Sequence, residues 1–173
     1  MNICGPHDLP QEGNSHPAER QALATAIQVL APELVLEVGT ASGASARLFA
    51  KYVKQVLTMD SEGPAEAAVE GNLTKVQGHS PEHLDRLWSY TTGQKHWVFF
   101  HDGTHSCKTF TVEALWAFGK GADAVLCHDQ NLDDMGHTRE ILKGLGYRYV
   151  NLIDLAGLPD AGGFTGVALF LPR

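Results

Sequence analysis

Short apolar runs rich in β-branched residues alternate along this chain with segments whose apolar positions recur every three or four residues. That is the pattern of strands and amphipathic helices in turn. Leu23, Ile27 and Leu30 form the stripe of a first helix that starts at Pro17 and stops near Pro32. Leu34–Val38 is a strand interrupted only by Glu37, and it ends at Gly39 in the small, turn-forming stretch 40–43. Ala46, Phe49, Ala50 and Val53 then return to helical spacing. Gln55–Asp60 reads as a second strand, Leu73–Gln77 as a weak third, 96–100 as a fourth and 122–127 as a fifth. The stretch 63–71 leaves room for about two helical turns. Ser80 is placed to cap a helix with Pro81 in its first turn and Leu84, Leu87 and Trp88 on its apolar face. Residues 106–118 carry Phe110, Ala114, Leu115 and Phe118 on one side of another helix. Asp133 or Asp134 caps a short one bearing Ile141, Leu142 and Leu145. Two strands, 147–152 and Val167–Leu171, close the pattern around a Gly/Pro-rich loop at 156–163.

Strands alternating with helices predict a Rossmann-like, doubly wound, mostly parallel α/β sheet of seven strands. No helix separates the last two strands, so they should form a C-terminal antiparallel hairpin. Residues 1–173 read as one domain, with 1–15 as a loose arm. A chain of this length buries roughly 70 % of its unfolded surface, enough for a core.

Net charge is −7, with basic residues scattered, so nucleic acid is not expected as a partner. No apolar run is long enough for a membrane span, and the first residues lack a basic-then-apolar leader. Cys4, Cys107 and Cys127 are odd in number and widely spaced, which points to a reducing cytoplasm and argues against a disulfide scaffold.

Ligands of open α/β sheets sit at the carboxyl ends of the strands. Three such ends are polar here: 39–43, Asp102 with His105, and His128-Asp129-Gln130. The glycine turn has the spacing G-x-x-x-G, unlike the G-x-G-x-x-G of pyrophosphate-binding loops, so a nicotinamide cofactor ranks low. Asp60, about 20 residues on, stands where a ribose diol would be held. Asp102 and Asp129, on neighbouring strands, should reach one ion, and two carboxylates with an amide suit Mg²⁺, Mn²⁺ or Ca²⁺. His105 is suited to take a proton near neutral pH. Glu37, an acid inside a buried strand, needs a partner: the turn N–H groups or a cofactor amino group. The plainer reading is that strand-end Asp and His residues cap the next helix, and that His101 and His128 pack or support.

The Glu37-Val38-Gly39-Thr40-x-x-Gly43 run with its later strand-end acid resembles class I S-adenosylmethionine (SAM)-dependent methyltransferases. Asp102-Gly103-Thr104-His105, followed one strand later by His128-Asp129, is similar to the metal-dependent small-molecule O-methyltransferases of catechol and sugar type. The resemblance covers about 33–131. It implies SAM contacts from Glu37, Gly39, Thr40, Ser42, Gly43, Asp60, His79, Ser80 and Asp102. It implies Mg²⁺ ligation by Asp102, Asp129 and Gln130, or Asn131 in place of Gln130, with His105 as base. Gln130 departs from the family's Asp or Asn, and 78–80 stand where relatives often have an acid near the adenine. The implied activity is methylation of a small hydroxylated molecule. The competing readings are a metal-dependent hydrolase built from the His/Asp cluster and a non-catalytic SAM- or nucleotide-binding protein. With little chain to spare for a lid, a homo-oligomer is expected to close the pocket.

Overall fold

A computed structural model of the protein describes residues 16–63, 68–91, 93–129, 135–153 and 166–173. The chain runs α1 (Pro17–Leu30), β1 (Leu34–Val38), α2 (Ala44–Phe49), β2 (Gln55–Asp60), β3 (Ala68–Glu70), β4 (Leu73–Gln77) and α3 (Leu84–Trp88). It continues through β5 (Trp97–His101), α4 (Cys107–Gly119), β6 (Ala124–His128), α5 (Met135–Gly144), β7 (Arg148–Ile153) and β8 (Val167–Leu171).

β1, β5 and β6 are buried at every position, as strands covered on both faces must be. Alternate side chains serve opposite layers. Leu34, Leu36 and Val38 pack with Leu84, Leu87, Phe110 and Leu142 from α3, α4 and α5. Val35, Val98 and Phe100 pack with Leu23, Ile27, Leu48 and Phe49 from α1 and α2. Trp97 is the hub of an indole cluster, its ring centroid 4.9 Å from that of Trp88 and 6.2 Å from that of Trp116. α1 opens with a capping box in which the His16 ring accepts from the Ala18 N–H and Glu19 accepts from the His16 N–H.

The sheet order is β3-β4-β2-β1-β5-β6-β8-β7. β4, β2, β1, β5 and β6 run parallel, and β8 is antiparallel to both β6 and β7. The C-terminal hairpin forms as expected, and its second strand inserts between β6 and β7. The sheet has eight strands instead of seven. The additional one is β3, within a stretch expected to be helical. Gly71, at a φ of 62°, and Asn72 reverse the chain so tightly that Ala68–Glu70 folds back on β4. Asn72 braces that turn by donating to the Ala50 and Val53 carbonyls. α3 also begins later than expected, at Leu84 with His83 as its cap. The His83 ring accepts the His79 N–H at 3.0 Å, which closes 79–83 into a separate turn ahead of the helix. The loose arm at 1–15, the loop at 156–163 and the caps Asp133 and Asp134 lie outside the described residues.

Parallel register levels the strand ends: Val38 pairs with both Met59 and His101, and His101 pairs with Cys127. The residues that follow β1, β5 and β6 therefore emerge side by side. Phe100 supports this register from below, meeting Phe49 edge-on at 5.1 Å between centroids. Phe100→Ala should cost about 3–5 kcal/mol in urea unfolding. A loss below about 1 kcal/mol would show that the α1/α2 layer does not depend on this contact.

Candidate active site at the strand ends

β1 lies between β2 and β5, at the point where successive connections leave in opposite directions along the sheet. Such a switch point opens a crevice at the carboxyl edge. Gly39 makes the crevice possible: its φ is +90°, and a Cβ there would stand 2.0 Å from the Asp102 carbonyl oxygen. Only a residue without a side chain fits. Above it is a cleft of about 300 Å³ lined by Gly39, Ala41, Asp60, His79, Ser80 and Asp102, among others.

Of the residues expected to contact a cofactor, Gly39, Asp60, His79, Ser80 and Asp102 line this cleft. Thr40, Ser42 and Gly43 do not. The Thr40 hydroxyl turns into the sheet, 2.6 Å from that of Thr58. The Ser42 carbonyl accepts from Arg47, and Gly43 starts α2. Asp60 braces the glycine turn: one carboxylate oxygen accepts the Ala41 N–H at 2.8 Å, the other the Glu62 N–H at 3.2 Å. The Ser80 hydroxyl is buried with no partner among the described residues.

Glu37 does not receive the turn N–H groups. Its carboxyl is fully buried beneath the turn and bonded to the hydroxyls of Ser45 and Thr58. Burial, reinforced by the charges of Asp102 and Asp60, outweighs those two hydrogen bonds and raises its pKa to about 8. Glu37 is thus a protonated, neutral residue of the sheet at pH 7.

The ends of β5 and β6 bring four titratable residues together, and α1 adds a fifth. His128 Nδ1 lies 2.9 Å from Asp102 Oδ1 and 3.3 Å from Asp129 Oδ2. Its Nε2 lies 3.1 Å from Glu19 Oε2, outside hydrogen-bond alignment. His105 Nε2 stands 3.2 Å from Asp129 Oδ2. Asp129 holds this place with a left-handed φ of 53°, a conformation that Asp tolerates better than most residues. Burial works against a charged His128, yet the carboxylates of Asp102, Asp129 and Glu19 prevail and push its pKa up to about 12. His128 is therefore the internal counter-ion of the acid cluster and not a packing residue. Asp102, His105 and Asp129 offer ligand atoms all within 4.8 Å of one another. The two carboxylates of that set are hard oxygen donors of the kind a divalent cation such as Mg²⁺ or Mn²⁺ takes, and the imidazole stands beside them. Gln130 and Asn131 lie outside the described residues.

His101 stands apart from this cluster. It is fully buried, its Nδ1 2.5 Å from Glu113 Oε2, and its ring stacks on Phe110. Among the described residues, it belongs to neither group of side chains close enough to share one ion. Sequence reasoning missed Glu113 and Glu19. Glu113 had a readable sign, because it shares the buried face of α4 with Phe110, Ala114 and Ala117. Glu19 reads locally as a capping-box acid, and nothing local places it against His128.

No family model and no curated protein matches the chain. Solved structures do match in fold. An O-methyltransferase from Bacillus cereus in complex with S-adenosylhomocysteine (SAH) is 13 % identical with a TM-score of 0.66, covering 96 % of this chain and 86 % of its own. The O-methyltransferase TomG from Streptomyces achromogenes, in complex with SAM, is 18 % identical with a TM-score of 0.65, over 95 % and 83 %. The structure described as cmcI-D160 with Mg and SAM is 16 % identical with a TM-score of 0.60, over 91 % and 73 %. The chain has the fold of these SAM-binding proteins.

The state of Glu37 sets a pH dependence. The folded carboxyl keeps its proton up to about pH 8, and the unfolded one loses it near 4.5. The native state binds the extra proton, so stability falls as pH rises through that window. Glu37→Gln should decline less in melting temperature than the parent between about pH 4.5 and about pH 8. Parallel curves would contradict the buried neutral carboxyl.

Proposed function

We propose that the protein is a SAM-dependent O-methyltransferase, assisted by a divalent metal, that acts on a small hydroxylated molecule. The observation that carries this reading is the juxtaposition of the Gly39 cleft with the Asp102–His105–Asp129 cluster at one edge of the sheet. A cofactor bound over Gly39 lies beside the groups that would hold and deprotonate its acceptor. The structural neighbours bind SAM or SAH, and one binds Mg. This supports the same cofactors here.

When bound, SAM supplies an electrophilic methyl and the cation supplies Lewis acidity that lowers the pKa of an acceptor hydroxyl. The chain's own residues do the rest. The cleft floor at Gly39 admits the cofactor against the backbone, and Asp60, His79 and Ser80 offer it polar contacts. Asp102 and Asp129 would hold the cation. His105 accepts the acceptor's proton, with Asp129 3.2 Å from its Nε2 to orient the ring and stabilise the imidazolium. Holding two reactants in line makes their encounter effectively unimolecular, which lowers the barrier. A homo-oligomer, in which a second subunit covers the cleft, belongs to this proposal. Among the described residues, no helix is long and apolar enough to cross a membrane.

The hydrolase reading is weaker because, among the described residues, His101 does not come close enough to Asp102, His105 and Asp129 to share an ion with them. A screen of vicinal diols, catechols and sugars with labelled methyl donor should find an acceptor whose methylation Mg²⁺ stimulates. In that assay Asp102→Ala should abolish the metal response while the melting temperature stays near the parent's. His105→Ala should cost roughly 10²–10⁴-fold in turnover, the usual worth of a general base. Undiminished, metal-stimulated turnover in Asp102→Ala would sink the ligand assignment.

A further inference from the structure

Glu19 is fully buried on α1, remote in sequence from every strand-end motif. Its carboxylate joins three parts of the fold. Oε2 accepts the His16 N–H at 2.9 Å, and Oε1 accepts the Gly166 N–H at the entry to β8, also at 2.9 Å. The third contact is different in kind, because His128 Nε2 stands 3.1 Å from Oε2. A carboxylate with two backbone donors already satisfies a helix cap. Aiming it at an imidazole as well ties the cap to the acid cluster.

His128 is thereby held at both ends of its ring. Nε2 faces Glu19, and Nδ1 faces Asp102 at 2.9 Å and Asp129 at 3.3 Å. These two acids come from the ends of different strands, and Asp129 adopts a left-handed backbone to reach its place. The Nδ1–H lies within reach of both. Turning the ring would break the contacts at both ends together. The Glu19 carboxylate 3.1 Å from Nε2 favours, by its charge and not by an aligned hydrogen bond, the ring orientation that keeps Nδ1 on the two acids. His128 is only 5 % exposed, more deeply placed than Asp102 and Asp129, and its ring lies between these two acids and Glu19.

We infer that Glu19 is a positioning residue for the metal site: it orients His128, whose Nδ1–H sets the spacing of Asp102 and Asp129 for a divalent cation. This rests on the metal-assisted reading above and adds to it a residue from outside the cluster. Partners that orient metal ligands without touching the metal are typically worth about 10–100-fold in affinity. Glu19 acts through His128, so its effect should vanish once His128 is gone. A cap that merely stabilises α1 would lower the melting temperature and leave metal affinity alone.

The test is a calorimetric and spin-resonance titration of Mn²⁺ into the full chain, with SAH binding measured alongside. Glu19→Gln should weaken Mn²⁺ binding roughly 10–100-fold with SAH affinity unchanged. His128→Asn should weaken it by a similar factor. The Glu19→Gln/His128→Asn double variant should be no weaker than His128→Asn alone. If Glu19→Gln is too unstable to titrate, Glu19→Asp keeps the charge and draws it away from His128, and should show the same loss. Parent-like Mn²⁺ affinity in a Glu19 variant would overturn the inference, as would multiplicative losses in the double variant. A parent that binds SAH and no Mn²⁺ would overturn the metal reading itself and this inference with it.

Discussion

The structure depends on the contact between the backbone at Gly39 and the carbonyl of Asp102. A side chain at position 39 would place a carbon 2.0 Å from that oxygen, so β1 and β5 can close together at their carboxyl ends only through a glycine with positive φ. The Asp102 N–H completes the seam by donating to the Val38 carbonyl at 2.9 Å. This closeness puts the cleft floor and the acid cluster on one edge, because the residue after β5 belongs to both. Register then adds β6 beside β5 and delivers His128 and Asp129 next to Asp102.

Charge is the second organising constraint. The cluster gathers Glu19, Asp102 and Asp129 around one buried imidazole. Burying carboxylates without compensation is prohibitive, so each must find a cation or donors. His128 answers for all three, and backbone N–H groups share the load at Glu19. Glu37, only a short step below the turn, takes the opposite solution. With burial and the charges of Asp102 and Asp60 outweighing its two hydroxyl partners, it keeps its proton. Two buried acids on the same face of the fold thus carry different charges for reasons visible in their neighbours.

Much of this was legible in the sequence, and what escaped has a physical reason. Parallel strands buried on both faces write themselves as apolar runs, so β1, β5 and β6 stood out. Gly39, Asp102, His105 and Asp129 could be placed together at one edge because each follows an apolar run that reads as a parallel strand. β3 was read as helix because a three-residue edge strand, exposed throughout, has no periodicity to show. Its existence turns on Gly71 and Asn72. Thr40 was expected to face a ligand, and its pairing with Thr58 depends on a register that only the folded sheet defines. Glu19 escaped because its meeting with His128 spans separate elements, and a capping-box acid looks complete without it.

The central claim is that the Gly39 cleft binds SAM beside a metal-capable acid cluster. It is tested most directly by titrating SAH into the purified protein in a calorimeter, with and without Mg²⁺. The account predicts one-to-one binding with a dissociation constant on the order of micromolar, about −8 kcal/mol. Absence of binding in both conditions would contradict it, reducing the glycine turn to a fold element and leaving the acid cluster without a cofactor to serve.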